Sequence, residues 1–366
     1  MKIGIDARLT HYRTGGISTY TRNLVRELDA LDNTNDYTIL HSRKARQTIG
    51  PSAQRANLWT PCHHRWERTA LSVELSRFQL DLLHSPDFIP PRRGARRHII
   101  SIHDLGFLHY PQFMTAESRR YYNAQIRAAV QQADHILAIS QSTCRDVVQM
   151  LDVPPEKITV HPLGVDASFT PQSAPAVAAM RAQLELPAAY ILFVGTFEPR
   201  KNIIGLLHAY QHLRQNLPDA PKLVVAGNHG WLFEQEIDKI RRGNLEDGVL
   251  WRENIPQQLL PALYSGALVH TLPSFYEGFG LPALEAMACG TVSIVSNASS
   301  LPEVVQNPDV LIDPHDPQTL SAALQRAITD DAWRARQERQ AQHQAAKFTW
   351  SQTARIALDA YQKVMA

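Results

Sequence analysis

Short apolar runs, each followed by a turn and then by a stripe of apolar residues at helical spacing, recur along the chain. The first run, Lys2–Asp6, is followed by the diglycine Gly15-Gly16 and by a stripe that continues to Leu31. Apolar runs of this length are typical of buried strands, and the spacing of the stripe is typical of helices. Strands that alternate with helices pair in parallel, with helices on both faces of the sheet. The sequence therefore predicts an α/β fold. The first stripe consists of Ile17, Tyr20, Leu24, Val25, Leu28 and Leu31.

Two series of these units are present, separated by a looser stretch. The second series begins with the fully apolar run Tyr190–Val194, and 366 residues exceed what one ordinary core contains. Between Pro162 and Pro187 the periodicity is lost, which indicates an interdomain linker. We therefore predict one domain over 1–167 and a second over 168–350. Further strands are predicted at Tyr37–His41, Asp81–Ser85, His98–Ile102, Asp134–Ile139, Lys222–Gly227, Val249–Trp251, Leu268–Leu272, Thr291–Val295 and Val310–Ile312, and helices over 116–132, 142–151, 255–267, after Asp316-Pro317 and from Trp350 onwards.

The composition is that of a soluble, reduced protein. Hydrophobic residues make up 44% of the chain and charged residues 20%. No apolar run approaches the ~20 residues needed to span a bilayer, and the first residues lack the apolar core of a signal peptide. Cys62, Cys144 and Cys289 are scattered and form no Cys-x-x-Cys pair. We therefore expect a cytoplasmic protein.

The stretch Ser274–Gly290 combines a glycine-containing loop with the start of a helix. Gly278 and Gly280 permit a tight turn and close approach of a ligand, and Pro282 fits the first position of a helix. Gly290 is placed to end that helix. A loop of this kind directs backbone N–H groups and the positive end of a helix at one point, which is an anion site.

Two carboxylates flank this anion site. Glu277 precedes the helix, and Glu285 is predicted in its first turn. Either acid alone has an ordinary explanation, since Glu285 favours a helix N-terminus and Glu277 could be a solvated loop acid. Eight helical steps would separate the two by ~12 Å, which places them to hold opposite ends of an elongated anion. A diphosphate with a sugar at each end has that shape.

With these residues in place, the sequence resembles the retaining glycosyltransferases of family four, which adopt the GT-B fold. The family's E-x7-E motif corresponds here to Glu277 and Glu285, and the similarity runs from the first strand to the last helix. The resemblance implies two doubly wound, Rossmann-like domains that face a cleft. It also implies that the last helix, 351–366, crosses back to complete the N-terminal domain, which would bind the acceptor while the C-terminal domain binds a nucleotide-diphospho-sugar.

Cations and glycines at the ends of predicted strands extend the resemblance. Arg200 and Lys201 follow an apolar strand, where a guanidinium and an ammonium group can bind phosphate oxygens, and they match the family's diphosphate clamp. Thr196 stands where many members have a further arginine. The loop of Gly15 and Gly16 matches the one that faces the donor phosphate in the family.

The resemblance assigns roles to the remaining candidate residues. His103 ends a strand and would reach the far side of the donor sugar, whereas Glu277 would hold sugar hydroxyls and Glu285 the ribose. Asn254 and Ile255 lie where relatives bind the nucleobase, although Glu253 replaces a usual glycine. The helix end formed by Phe279, Gly280 and Leu281 would help to neutralise the leaving diphosphate.

No metal or cofactor is predicted. The chain contains no Asp-x-Asp motif, which the other common glycosyltransferase fold uses to hold a metal ion. The run Cys62-His63-His64 has no fourth ligand nearby and is interpreted as ordinary surface. We expect Arg200, Lys201 and the helix end to stabilise the leaving diphosphate instead.

The predicted activity is transfer of a hexose from a nucleotide-diphospho-sugar to a saccharide or lipid-linked acceptor, with retention of configuration. The likeness to mannosyl- and rhamnosyl-type enzymes of bacterial surface polysaccharide, including lipopolysaccharide, makes GDP-mannose the first candidate donor and a UDP-hexose the second. A nucleotide-sugar epimerase on the same fold is an alternative, and a nucleotide-sugar-binding protein without turnover is the non-enzymatic one.

Basic residues are concentrated in one half of the chain. The segment Arg43–Arg97 carries 11 Lys and Arg residues against 4 Asp and Glu, although the whole chain has a net charge of only +2. Together with Leu58, Trp59 and Trp66, the arginines suggest peripheral docking at an anionic membrane surface, the inner face of the cytoplasmic membrane. A solvated face is the ordinary alternative. A nucleic-acid binder, recognised by steep salt dependence, ranks last, and we expect no nucleic-acid partner.

Overall fold

A computed structural model describes residues 1–13, 15–64, 66–230, 240 and 247–366. These residues form two compact units. The first unit comprises Met1–Leu105, Arg120–Gly164 and Thr349–Ala366, and the second comprises Gly106–Arg119 and Val165–Phe348. Within the described residues, no helix is long and apolar enough to cross a membrane.

The first unit is built on a seven-stranded parallel sheet in the order β3-β2-β1-β4-β5-β6-β7. Fully apolar stretches of β1 and β4 lie at its centre, where Ile3 pairs with Leu82 and both side chains are fully buried. The strands are β1 Lys2–Asp6, β2 Asp36–Ser42, β3 Gln54–Leu58, β4 Leu80–Ser85, β5 Ala95–Ile102, β6 His135–Ala138 and β7 Ile158–Val160.

The helices of the first unit pack against this sheet and against one another. The predicted stripe after the diglycine forms the second helix and buries Tyr20, Leu24 and Leu28. The helices are α1 Leu9–Tyr12, α2 Gly16–Leu31, α3 Glu67–Leu75, α5 Ala116–Gln132, of which the first four residues fall in the second unit, α6 Gln141–Leu151 and α14 Trp350–Met365.

The C-terminal helix α14 belongs to the first unit, as the resemblance implied. Thr349 caps it by accepting a hydrogen bond from the N–H of Gln352. Its buried face contacts α2, and the Tyr361 hydroxyl lies 2.7 Å from Nδ1 of His84 in β4. Because both side chains are fully buried, this contact fixes the helix on a sheet whose strands lie far away in sequence.

The second unit is built on a six-stranded parallel sheet in the order β10-β9-β8-β11-β12-β13. The strands are β8 Tyr190–Val194, β9 Lys222–Ala226, β10 Val249–Arg252, β11 Val269–Leu272, β12 Ser293–Ser296 and β13 Leu311–Ile312. The helices are α4 Gly106–His109, α7 Ala174–Leu184, α8 Ile203–Asn216, α9 Leu260–Ser265, α10 Leu281–Ala288, α11 Leu301–Val305, α12 Pro317–Thr329 and α13 Asp331–Ala345.

The α/β architecture with two parallel sheets is confirmed, whereas some elements were not predicted. The strands β3 and β7 and the helix α13 were missed. The predicted linker over 162–187 is wrong in part because it contains α7, which Ser173 caps and which buries Val177 and Met180. The units divide at Gly164 and Val165. The segment Gly106–Arg119 groups with the second unit, where the Phe113 ring stacks on Phe275.

Each sheet has one point at which the strand order reverses. In the first unit the chain builds outward from β1 on one side and from β4 on the other, and in the second it does so from β8 and β11. In open parallel sheets a crevice forms at such a point, beyond the carboxyl ends of the strands, and ligands bind there. We therefore expect ligand-binding sites in the loops that follow β1, β4, β8 and β11.

Candidate active site

The loop after β11 leads into α10 through a glycine with left-handed backbone angles. Gly280 has φ +98° and is the N-cap of the helix, and a Cβ built on it would lie 2.4 Å from Cδ2 of Leu301. Only glycine fits this position without displacement of its neighbours. The helix begins at Leu281, so Pro282 is its second residue rather than its first. Glu285 consequently lies in the second turn, and its predicted place in the first turn is wrong.

The positive end of α10 is open toward this loop. Within the described chain, no side chain caps the helix, and no acidic residue lies in its first turn. Phe279, just before the cap, is buried and packs edge-on against Phe348. The loop of Phe279, Gly280 and Leu281 therefore presents backbone and a helix dipole, a combination that stabilises an anion.

The loop after β8 carries the two predicted cations and is tied to the loop after β11. Arg200 and Lys201 lie in a single 3-10 turn, Pro199–Lys201. The carbonyl of Arg200 accepts a hydrogen bond of 2.9 Å from the N–H of Phe275. The next residue, Asn202, donates its side-chain amide to the carbonyls of Pro273 and Pro314. These bonds place both cations at the point where strand order reverses.

Glu277 is bonded to both cations. Its carboxylate accepts hydrogen bonds from Nζ of Lys201 at 2.6 Å, from Arg200 at 3.1 Å and from the hydroxyl of Ser274 at 2.8 Å. Only 5% of Glu277 is exposed. Burial alone would raise the pKa of this carboxyl, but the charges of Lys201 and Arg200 and the hydrogen bonds lower it to about 2. Glu277 is therefore ionised throughout the physiological range.

The cation cluster is neutralised in full by neighbouring acids. Arg200 also forms an ion pair of 2.6 Å with Glu198 and donates to the carbonyl of Tyr276. Two cations thus face two carboxylates, Glu198 and Glu277. A phosphate that binds Arg200 and Lys201 must compete with these acids. The sequence singled out Glu277 and both cations but gave no sign of this contact or of Glu198.

Serines that the sequence did not single out hold the backbone of Glu277. The N–H of Glu277 donates to the Ser299 hydroxyl at 2.8 Å, and the hydroxyl of Ser300 donates to the Glu277 carbonyl at 2.9 Å. Ser299 has φ +51°, an uncommon conformation for this residue type. The run Asn297–Ser300 after β12 was the available signal, because small polar residues at a strand end favour such bonds.

Glu285 has an environment opposite to that of Glu277. The Tyr264 hydroxyl donates to Oε2 of Glu285 at 2.8 Å, and no cation is among the groups that shift its pKa. Burial raises the pKa of Glu285 to about 7, the Tyr264 hydrogen bond opposes this rise, and the charge of Asp166 adds to it. The two carboxylates of the motif therefore differ in charge state near neutral pH, so they are equipped for different roles.

The predicted nucleobase residues Asn254 and Ile255 lie in the loop after β10. Asn254 has φ +53°, and its N–H donates to the side chain of Asn228 at 2.9 Å. Ile255 is partly buried against the core of the second unit. Glu253, which replaces a usual glycine, lies 3.0 Å from the His229 ring. Thr196 is the second residue after β8 and directly follows Gly195.

Three candidate residues lie in the first unit. His103 follows β5, and its Nε2 lies 2.8 Å from the carbonyl of Pro86. Burial lowers the pKa of His103, and its ring packs edge-on against that of Tyr20. Gly15 has φ +137° and caps α2, and a Cβ built on Gly15 or Gly16 would meet no atom within 4 Å. The diglycine therefore leaves open space for a ligand beside the helix end.

The structure thus places the predicted residues in two groups, each within one unit. The second unit brings together Glu277, Arg200, Lys201 and the start of α10, and Glu285 lies on the same helix. The first unit carries the diglycine and His103. Among the described residues, no group of three His, Cys, Asp or Glu side chains is arranged to hold a metal ion.

The basic segment is only partly available for docking. Arg96 and Arg97 are exposed, but they form ion pairs with Asp81 and Asp134. Leu58 was expected to contribute to an apolar grip, and this is wrong, because it is 1% exposed and packs beneath α3. Trp59 and Trp66 are exposed at 70% and 60%, as such a grip requires.

Two family models match consecutive parts of the chain. Residues 14–169 match the model described as Glycosyltransferase Family 4, and residues 179–345 match Glycosyl transferases group 1. The protein is a glycosyltransferase. Its cation cluster and Glu277 lie within the group 1 match, and the diglycine and His103 lie within the family 4 match.

Individual relatives and solved structures agree with this assignment. The glycosyltransferase is 28% identical over 379 residues to O-antigen chain mannosyltransferase B of Escherichia coli, with 99% of each chain covered. It resembles sucrose-phosphate synthase from Thermosynechococcus elongatus with a TM-score of 0.78 at 22% identity, covering 99% and 98% of the two chains. It resembles Anabaena HepE in complex with UDP-glucose with a TM-score of 0.77 at 17% identity, covering 99% and 100%. These structural neighbours establish the GT-B fold of the glycosyltransferase.

Proposed function

We propose that this glycosyltransferase moves a mannosyl group from GDP-mannose to a saccharide or lipid-linked acceptor during assembly of a bacterial surface polysaccharide. The observation that carries the proposal is the contact of Arg200 and Lys201 with Glu277 beside the open end of α10. A diphosphate needs cations and N–H groups, and a sugar needs a carboxylate that accepts from its hydroxyls. The relationship to an O-antigen mannosyltransferase supports the choice of sugar.

In the proposed reaction the bond between the anomeric carbon and the diphosphate oxygen breaks, and a bond to the acceptor oxygen forms on the same face of the sugar. The acceptor proton passes to the departing phosphate oxygen. Because the new bond forms on the face that the leaving group vacates, configuration is retained. Arg200, Lys201 and the N–H groups at Phe279, Gly280 and Leu281 stabilise the charge on the leaving nucleoside diphosphate. These fixed charges perform the task that a metal ion performs in other enzymes, and the proposed reaction is metal-independent.

The other candidate residues contact the remaining parts of the donor. Glu277 holds sugar hydroxyls once the phosphates bind its cation partners, and Glu285 accepts a hydrogen bond from the ribose. Asn254 and Ile255 border the nucleobase, and Thr196 lies beside the diphosphate. Gly15, Gly16 and His103 contact the donor from the first unit. No cofactor other than the donor substrate enters this scheme.

Calorimetric titration with a panel of nucleotide sugars tests the donor assignment. We expect GDP-mannose to bind more tightly than UDP-glucose, UDP-galactose and dTDP-rhamnose. A preference for UDP-glucose, the ligand in the HepE complex, would replace the first donor with a UDP-hexose. Absence of binding by every member of the panel would overturn the proposal. Conversion of the nucleotide sugar without an acceptor would show an epimerase, and tight binding without turnover would show a binding protein.

We further propose that the enzyme docks on an anionic membrane through one face of the first unit. The N–H groups of Arg92 and Arg93 donate to the carbonyl of Arg68 and to Ser72, both in α3. These bonds hold two exposed arginines beside a helix that exposes 73% of Val73 and begins next to Trp66. Arginines and a tryptophan on one face favour contact with anionic headgroups. A lipid-linked acceptor would then lie at the same surface.

Vesicle co-sedimentation tests this docking. Each arginine contributes about 1 kcal/mol near an anionic surface, so replacement of Arg92 and Arg93 by alanine should weaken partitioning roughly 30-fold. Replacement of Arg336 and Arg339, two exposed arginines of α13 in the second unit, removes the same charge and should change partitioning far less. Wild-type protein that stays in the supernatant with anionic vesicles at low salt would contradict the proposal.

A further inference from the structure

A small polar cavity lies at the point of strand-order reversal in the first unit. It has a volume of about 20 Å³ and is partly enclosed between the ends of β1 and β4. A cavity needs roughly 10–15 Å³ to hold one water-sized group. The cavity therefore fits a single hydroxyl rather than a whole sugar ring. Its polar lining includes Asp6, Cys62, His63, Glu67, Ser85 and Asp87.

Two of the lining carboxylates are already satisfied by a buried arginine. Arg8 is fully buried, and its guanidinium lies 2.7 Å from Asp6 and 2.8 Å from Glu67. It also donates to the carbonyl of Thr60. This network satisfies the carboxylates of Asp6 and Glu67 and fixes the end of β1. A buried cation with three partners has no need of a further ligand.

The third carboxylate is held in place but retains the capacity to accept. Asp87 accepts from Nε2 of His63 at 2.7 Å and from the N–H of Phe88 at 2.7 Å. Burial would raise the pKa of Asp87, but these bonds and the charge of His63 lower it. An ionised carboxylate has about four acceptor positions, so the two bonds leave Asp87 able to accept from a further donor. The rings of Tyr121 and Tyr122 pack around His63.

Ser85 is the side chain in the cavity that lacks a partner. It is 2% exposed, and within the described part of the chain its hydroxyl forms no hydrogen bond. A buried hydroxyl without a partner costs about 1–3 kcal/mol, which a bound group would recover. The hydroxyl of Tyr121, whose pKa is raised by burial and then by Glu67 and Asp87, also lacks a partner. Ser85 lines the cavity and Tyr121 does not, so the orphaned hydroxyl of Ser85 is the observation that indicates a ligand.

We infer that this cavity binds an uncharged hydroxyl of the acceptor saccharide, through Ser85 and Asp87, and that it selects against a phosphorylated group. A hydroxyl donates to the carboxylate and accepts from the serine, so it satisfies both. Three carboxylates against one guanidinium leave the described lining negative whether His63 is neutral or protonated. An anion would therefore be repelled. The inference rests on the proposed function, because it assigns the acceptor side of that reaction.

Ser85→Ala is a clean test because the hydroxyl has no partner to lose, so the variant should fold and should melt at or above the wild-type temperature. Ser321→Ala is the matched control, since Ser321 is also buried and also lacks a partner but lies in α12 of the second unit. Binding is measured without donor by ligand-observed NMR titration. The probes are methyl α-D-mannopyranoside and α-D-mannose 1-phosphate, which share a sugar and differ in charge.

We expect the wild type and Ser321→Ala to bind the neutral glycoside equally and Ser85→Ala to bind it about tenfold more weakly, with the sugar phosphate weaker than the glycoside in all three. Any of three results would overturn the inference. The wild type does not bind the glycoside, Ser85→Ala binds it as tightly as the wild type does, or the sugar phosphate binds more tightly than the glycoside. If the cavity holds only water, Ser85→Ala should bind the glycoside as tightly as the wild type does. Calorimetry with GDP-mannose on the same samples reports the proposed function separately, because all three proteins should bind the donor equally.

Discussion

Replacement of Glu277 by glutamine should destabilise the empty enzyme and tighten its binding of nucleoside diphosphate. The isosteric amide keeps the shape of the side chain but removes the charge that neutralises Arg200 and Lys201. The buried Lys201 and the partly exposed Arg200 then lose their shared acid, although Arg200 keeps its ion pair with Glu198. A phosphate ligand restores the missing negative charge, so a variant that is less stable alone should bind its ligand better.

The pKa of Glu277 sets the size of the stability change. A fall from 4.5 to about 2 corresponds to about 3 kcal/mol of stability. Because the folded-state pKa is lowered, this contribution is present above pH 4.5 and is lost as the pH falls toward 2. At pH 7 Glu277→Gln should therefore lower the melting temperature of the second unit by roughly 6–12 °C.

The gain in affinity follows from the bonds that phosphate must replace. In the wild type, phosphate competes with the bond of 2.6 Å between Lys201 and Glu277. A charge-assisted hydrogen bond is worth about 1.5–3 kcal/mol, so GDP should bind Glu277→Gln roughly 10- to 150-fold more tightly. Turnover should nevertheless fall, because the variant loses the carboxylate proposed to hold the sugar.

Differential scanning fluorimetry and calorimetric titration with GDP measure the two effects. Asp219→Asn is the control, since Asp219 is an exposed acid of the same unit and its loss changes the net charge equally. The reasoning is refuted if Glu277→Gln melts like the wild type, or if it binds GDP no more tightly than Asp219→Asn does.

Three further predictions follow from the structure. Arg200→Ala and Lys201→Ala should each weaken GDP binding by about 1.5–3 kcal/mol in calorimetry. Wild-type activity should persist in EDTA. Activity that is lost in EDTA and restored by magnesium would contradict the metal-independent reaction. Because burial raises the pKa of Glu285 to about 7, its contribution to stability is lost as the pH rises from 4.5 through 7. Glu285→Gln should remove this pH dependence, which is worth up to about 3 kcal/mol of the free energy of unfolding. If denaturant unfolding gives the same pH profile for the wild type and Glu285→Gln, the prediction is wrong. Deletion of residues 351–366 removes the bond between Tyr361 and His84 and should destabilise the first unit; a truncated chain that melts like the full one would be inconsistent with this.

The sequence predicted central strands better than edge elements, for a physical reason. A central parallel strand is buried on both faces, so Tyr190–Val194 reads as a continuous apolar run. The edge strand Gln54–Leu58 buries only Ala56 and Leu58 and has no such run. Helix Asp331–Ala345 is polar around most of its surface and buries glutamines, so its periodicity is weak.

The candidate site was predictable residue by residue but not as a network. Arg200, Lys201 and Glu277 each follow an apolar strand, and strand ends are where parallel sheets bind ligands. Their contact depends on β8 lying beside β11, which the order of strands along the chain does not reveal. Ser85 had no signal at all, because its lack of a partner is a property of the folded surroundings rather than of local sequence.

Acceptor-dependent transfer tests the central claim most directly. Purified protein is incubated with GDP-mannose and methyl α-D-mannopyranoside in EDTA, and proton NMR follows the anomeric signals. The account predicts GDP release that requires the acceptor, together with a dimannoside whose new linkage has the α configuration of the donor. No transfer to any mannoside acceptor, a β linkage, or a changed nucleotide sugar in the absence of acceptor would contradict it.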